Sequence, residues 1–203
     1  MTARTADSAL NDRARFTRIA LALAVTLVLV AGAWVVGGRE GFTNIGGGGV
    51  NAKFLPRVGE VAPDLQAYRL NAQLQPELVS LSDFKGQPVW LNFWASWCQP
   101  CRAEMPELKE AYQQLEGSGI VMLAISLDEP IDDAYLYAAQ NQVTFMILSD
   151  PTREHVGSSY QINNFPTHIF IDAQGIVRDV QLTPLSVAQA LKSADLALHP
   201  STA

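Results

Sequence analysis

Cysteine and histidine are scarce in this chain. Its 203 residues include two cysteines and three histidines. Two cysteines cannot staple a multi-bridge scaffold. His155, His168 and His199 are scattered, with no pair at ligand spacing, so a closed zinc site lacks its donors. Positive charge is equally thin beyond residue 36, where ten Lys and Arg face eighteen Asp and Glu, a net charge of −8. That acidity argues against nucleic acid as a partner. Internal repeats are absent, and low complexity is confined to Gly46-Gly47-Gly48-Gly49. What remains is 48% hydrophobic, enough for a sizeable core, in a length that suits one domain plus attachments.

Ile19 to Val36 is an 18-residue run without charge. As a helix it spans ~27 Å, close to the hydrocarbon thickness of a bilayer. Arg13, Arg15 and Arg18 stand immediately before it, and residues 1–18 carry a net charge of +2. By the positive-inside tendency, residues 1–18 form a cytoplasmic tail and 19–36 a transmembrane anchor. The competing reading is a signal peptide cleaved near Ala31-Gly32-Ala33. The anchor stretch holds no cysteine, which excludes a lipid attached through one there. Residues 37–57, with the glycine run, read as a flexible linker. The expected localisation is the cell membrane, single-pass, with residues 58–203 folded on the extracytoplasmic side.

Within that domain, Leu65–Leu70 and Glu77–Leu81 read as two short strands around a polar turn, an N-terminal β-hairpin. Ser82 to Gly86 reads as a one-turn helix or a turn closed by glycine. Val89–Trp94 is a buried strand, Gln99–Glu116 a helix ended by Gly117, and Ile120–Leu127 a second apolar strand. Pro130–Asn141 reads as a helix capped by Asp128 or Glu129. Val143–Leu148 is a strand and Thr152–Tyr160 a short helix. Thr167–Asp172 and Ile176–Gln181 form a hairpin around Ala173-Gln174-Gly175, and Leu185–Leu198 is the closing helix. Strand–helix alternation followed by a hairpin predicts an α/β fold with a mixed central sheet.

Both cysteines fall in Trp97-Cys98-Gln99-Pro100-Cys101, between a strand and a helix. That context marks a dithiol that opens and closes a disulfide. As a mere staple, a four-residue loop would contribute only ~2 kcal/mol. Cys98 falls at the helix N-terminus, where unpaired N–H groups and the helix dipole favour a thiolate, which makes it the candidate nucleophile. Cys101, one turn further in, is the candidate resolving thiol.

On a helical wheel Cys101, Met105, Leu108, Tyr112 and Leu115 share one stripe. Glu104 lies ~60° from Cys101, Glu107 ~120° and Glu110 ~180°, so only Glu104 borders the buried stripe. Glu104 is therefore a candidate proton acceptor for Cys101, against the alternative of an ordinary solvated glutamate. Pro106 predicts a kink. Trp94 reads as core, and Trp97 as a candidate partner-binding surface beside Cys98. Phe165-Pro166-Thr167 reads, on sequence, as a turn opening a strand.

These residues resemble the TlpA/ResA-like family of membrane-anchored thiol–disulfide oxidoreductases within the thioredoxin-fold superfamily. The resemblance runs from about Val58 to Leu198. It rests on Gly59-x-x-Ala62-Pro63-Asp64, Leu81-Ser82-Asp83-Phe84-Lys85-Gly86, Leu91 through Pro106, and Phe165 through Asp172. It implies a thioredoxin-like fold with a central insertion covering Ile120–Asn141 and the strand after it. It implies that Pro166 is the cis-proline facing the disulfide and pairing with substrate backbone, with Thr167 beside it. It places Glu104 beside the active site, and Asn92 where thioredoxins carry a buried aspartate. It further implies an extracytoplasmic reductant of protein disulfides, often those of apocytochrome c, supplied by a membrane thiol-transfer donor and needing no cofactor. The chemistry alone leaves direction open, since such dithiols range from about −270 to −120 mV. Two rivals share the fold. A copper-binding thiol carrier would recruit His155 or His168, but its cysteines are usually spaced by three residues. A thiol peroxidase usually needs a Pro/Thr-rich turn where Ala95-Ser96-Trp97 stands.

Overall fold

The computed structural model describes residues 55–157 and 159–200, together with 21 and 24–26, which are helical. The tail, most of the expected anchor and nearly all of the linker lie outside the described residues. Among the described residues no helix is long and apolar enough to cross a membrane.

Seven strands form one mixed sheet among the described residues, in the order β2-β1-β5-β4-β3-β6-β7. They are β1 (Gln66–Leu70), β2 (Pro76–Ser80), β3 (Val89–Trp94), β4 (Val121–Leu127), β5 (Met146–Asp150), β6 (Thr167–Ile171) and β7 (Val177–Gln181). The β3–β4 and β4–β5 pairs are parallel, and all other pairs are antiparallel. Among the described residues from 55 on, three helices accompany the sheet: α1 (Gln99–Gln114), α2 (Ile131–Gln140) and α3 (Val187–Leu198). A 3-10 turn over Leu81–Phe84 follows the hairpin.

The sequence Val-Trp-Leu-Asn-Phe-Trp of β3 is apolar at nearly every position because both faces of the strand are covered. Side chains alternate across the sheet. Trp90 and Trp94 join Met105 and Leu108 of α1, Ala134 and Ala138 of α2 and Ala190 and Ala194 of α3. Leu91 and Phe93 pack instead with Leu65, Ala67, Val156, Tyr160 and Ile162, supplied by the hairpin and the chain after β5. All three helices thus contribute to one core cluster, and irregular chain and the hairpin close the other.

Three expectations need correction. Residues 152–157 form turns rather than a helix. Arg153 adopts a left-handed φ of 60°, and the Asp150 carboxylate accepts the His155 and Val156 N–H groups, an alternative to helical pairing. The strand expected from Val143 starts at Met146, because the Val143 N–H still closes the end of α2 on the Ala138 carbonyl at 3.0 Å. Neither Asp128 nor Glu129 caps α2. Pro130 occupies the cap position without a side-chain hydrogen bond, and both acids are engaged elsewhere.

Candidate active site

Strand β3 ends at Trp94, and four residues later the chain enters α1. Cys98 is the N-cap residue, and its Sγ accepts the Cys101 N–H at 3.2 Å. The two cysteines form a disulfide with Cα atoms 5.3 Å apart. Cys101 is fully buried, whereas Cys98 retains 5% exposure. Pro100 sits in the first turn, where its missing N–H leaves no intrahelical bond unmade. Pro106 lies inside α1.

The turn before Cys98 is held from below by Glu129. Its carboxylate accepts the Ser96 N–H at 2.9 and 3.1 Å, and also both the Ser96 and Ser126 hydroxyls. The carboxylate is buried at the end of β4, so the Ala95–Trp97 turn is tied to the neighbouring strand. On sequence Glu129 is legible only as an acid near a helix start. One partner, Ser126, is three residues away, but the turn it holds, at Ser96, is 33 residues away.

Trp97 is 57% exposed beside Cys98 and meets the Phe165 ring edge-on at 5.7 Å. The Arg153 guanidinium covers Phe165 at 5.5 Å from the ring centroid and is itself paired with Asp128. The Phe165–Pro166 peptide bond is cis. Thr167 opens β6, is buried, and donates its hydroxyl to the Asn164 carbonyl at 2.8 Å. Its side chain is committed internally. On the other flank Tyr137 packs on Trp94 and lies beneath Arg102. Burial pushes the Tyr137 phenol up, partly offset by that guanidinium.

Glu104 is 3% exposed, deeper than a border position on the wheel implies, while Glu107 and Glu110 lie in solvent. The Leu185 N–H donates to its Oε2 at 2.9 Å, and His168 Nε2 lies 3.2 Å from the same oxygen. Oε1 finds no hydrogen-bond partner among the described residues, nor does either end of the Asn92 amide. Asn92 is the register partner of His168 and shares its face of the sheet. Residue by residue, Cys98, Cys101, Glu104 and Trp97 are gathered around the start of α1, and the Trp97–Phe165 contact brings the Pro166 turn to the same rim. His168 is marked on sequence only as a ligand for the rival copper carrier, because an apolar strand residue carries no local sign of a partner on another element.

The histidines a copper site would recruit are engaged. His155 Nε2 lies 3.1 Å from the Tyr68 hydroxyl, and His168 lies between Trp90 and Glu104. No cluster of three or more metal-ligating acids, histidines or cysteines occurs among the described residues.

A profile described as the AhpC/TSA family matches residues 58–180. The chain belongs to the AhpC/TSA family. Within it, the thiol-disulfide oxidoreductase ResA of Geobacillus kaustophilus is 32% identical over 163 residues, 80% of this chain and 86% of that protein. The ResA of Oceanobacillus iheyensis is 36% identical over 126 residues, 61% of this chain but only 64% of that protein. Among solved structures, one described as a thiol:disulfide interchange protein DsbE from Chlorobium tepidum superposes with a TM-score of 0.60 at 30% identity, covering 70% of this chain and 98% of its own. A secreted thiol-disulfide isomerase from Corynebacterium glutamicum gives 0.60 at 26% identity, covering 68% and 84%. This AhpC/TSA family member therefore has a thioredoxin-like α/β fold and stands among thiol–disulfide oxidoreductases.

Proposed function

We propose that the protein is a membrane-tethered reductant of protein disulfides, working through the Cys98–Cys101 pair on the extracytoplasmic side. The observation that carries this reading is the placement of Cys98 at the N-cap of α1, with the Cys101 N–H already directed at its sulfur. Once reduced, a thiolate at Cys98 gains from those N–H groups and from the helix dipole. Cys98 Sγ attacks a substrate disulfide and forms a mixed disulfide, expelling one substrate thiolate, which takes a proton. Cys101 then loses its proton to Glu104, attacks Cys98 Sγ and releases the second substrate thiol. Two electrons leave the dithiol, and the enzyme ends as the disulfide.

Trp97, Phe165 and Arg153 form the rim over which substrate would lie, with backbone beside Pro166 and Thr167 available for an extended segment. Apocytochrome c, through its paired haem-binding cysteines, fits the chemistry of such a substrate, and a membrane thiol-transfer protein fits that of the electron donor. The uncharged run at 19–36 supports an anchor, with its arginines on the cytoplasmic side.

Trapping tests these points together. In the full chain with Cys101→Ala, resolution is blocked, so a partner should stay covalently attached to Cys98 and sediment with membranes. A soluble complex would contradict the anchor. Failure to capture any partner would contradict the dithiol route.

A further inference from the structure

Three buried side chains from three elements form one hydrogen-bonded row that ends on Glu104. Trp90 of β3, His168 of β6 and Glu104 of α1 are each at most 3% exposed. Trp90 Nε1 lies 3.3 Å from His168 Nδ1, and His168 Nε2 lies 3.2 Å from Glu104 Oε2. An indole nitrogen only donates. His168 Nδ1 must therefore accept, which puts the ring proton on Nε2, where it is donated to the carboxylate. The tautomer is fixed by its neighbours on both sides.

We propose that His168 is the positioning residue for Glu104, holding that carboxylate in register with Cys101. The inference rests on the reading of Glu104 as the proton acceptor. Without His168, a glutamate side chain with three rotatable bonds has a single anchor, the Leu185 N–H. With it, Oε2 receives two N–H donors and is used up. Any proton taken by Glu104 goes to Oε1, the oxygen without a partner among the described residues. Cys101 is the residue one turn back along α1, within the i,i+3 neighbour range of about 5–6 Å between Cβ atoms.

The surroundings suit that role. The register partners of His168 are Asn92 and Gln181, and neither ionises. Asp179, which shares that face of β7, is tied to Ser193 and Gln181. In the resolving step Cys101 Sγ–H passes its proton to Glu104 Oε1, and the sulfur bonds to Cys98 Sγ. The Cys98–substrate bond breaks, and the departing substrate thiolate takes the proton. Electrons and protons balance, and His168 exchanges neither.

The test is single-turnover reduction of a peptide disulfide by the reduced full chain, with formation and decay of the Cys98 mixed disulfide followed separately by acid quench. His168→Leu should slow decay about tenfold or more while formation stays within about twofold. His168→Gln, whose amide can both accept from Trp90 and donate to Glu104, should return decay to within about threefold of wild type. A purely structural histidine would not split the two steps. Wild-type decay in His168→Leu, or a Gln variant as slow as Leu, would overturn the proposal. Glu104→Gln separates the layers. Slow decay there with normal decay in His168→Leu overturns the role of His168 alone, and normal decay in Glu104→Gln overturns the acceptor role beneath it as well. Nitrogen-15 shifts of wild-type His168 need no variant. A proton found on Nδ1 would refute the arrangement outright.

Discussion

Glu104 and Glu129 are both buried within one helical turn or loop of the disulfide, yet they have opposite occupancies. Glu129 is saturated: two hydroxyls and a backbone N–H share its two oxygens. Glu104 keeps one oxygen unengaged. The first pattern is that of a brace and the second that of a proton acceptor. Breaking this buried network leaves three donors short of their acceptor, but it also removes a carboxylate that is costly to bury, so Glu129→Ala should lower unfolding free energy by about 2–4 kcal/mol. It should also slow reduction of a peptide disulfide, because the Ser96–Trp97 turn loses its tie to β4. Urea midpoints and single-turnover rates measure both, and an unchanged midpoint would contradict the brace. At this scale Cys98, Cys101 and Glu104 were legible because they lie close together at the start of one helix. Glu129 and His168 were not, since the turn that Glu129 braces is 33 residues away at Ser96, and His168 meets Glu104 and Trp90 at 64 and 78 residues.

Among the elements, β3 and α1 were readable to within two residues because periodicity reports burial directly. The segment after β5 was not. Its apolar residues Val156, Tyr160 and Ile162 mimic a helical spacing, but they fill the sheet face that none of α1, α2 and α3 covers, from irregular chain. Tyr160 is the keystone of that segment. It packs on Phe93 and donates its hydroxyl to the Pro63 carbonyl at 2.6 Å. Burial pushes its phenol well above the ordinary value, with the Asp64 charge adding to the effect. A phenol whose folded pKa is raised contributes stability that is complete below about pH 10, the unfolded value, and is lost as pH climbs above it. Stability should therefore fall above about pH 10, and Tyr160→Phe should flatten that fall. Tyr135 and Tyr137, also pushed up by burial, will keep part of it. At pH 7 the same variant should be less stable by about 1 kcal/mol for the lost hydrogen bond. Denaturant titrations at pH 7 and pH 11 check both, and parallel losses in the two proteins would contradict the account.

At the scale of the whole molecule, the sheet places its chemistry where β3 hands the chain to α1. One core cluster, fed by the three helices, buries Cys101, with Glu104 buried one turn further along α1, while Trp97 stays at the surface against the half-buried Phe165. Mixed-sheet class and strand order of appearance followed from the sequence, whereas the placement of β5 between β1 and β4 depends on pairing that no local pattern encodes. The N-terminal run and glycine linker give the acidic domain its proposed tether to the membrane. All of this turns on one proposed asymmetry, that in the reduced protein the sulfur at the helix end, the less buried of the two, is the one that attacks. The direct measurement is alkylation of the reduced full chain at about pH 6, with the modified residue identified by mass. Cys98 should be labelled first and faster than free cysteine. Labelling of Cys101 first, or of neither faster than free cysteine, would contradict the account.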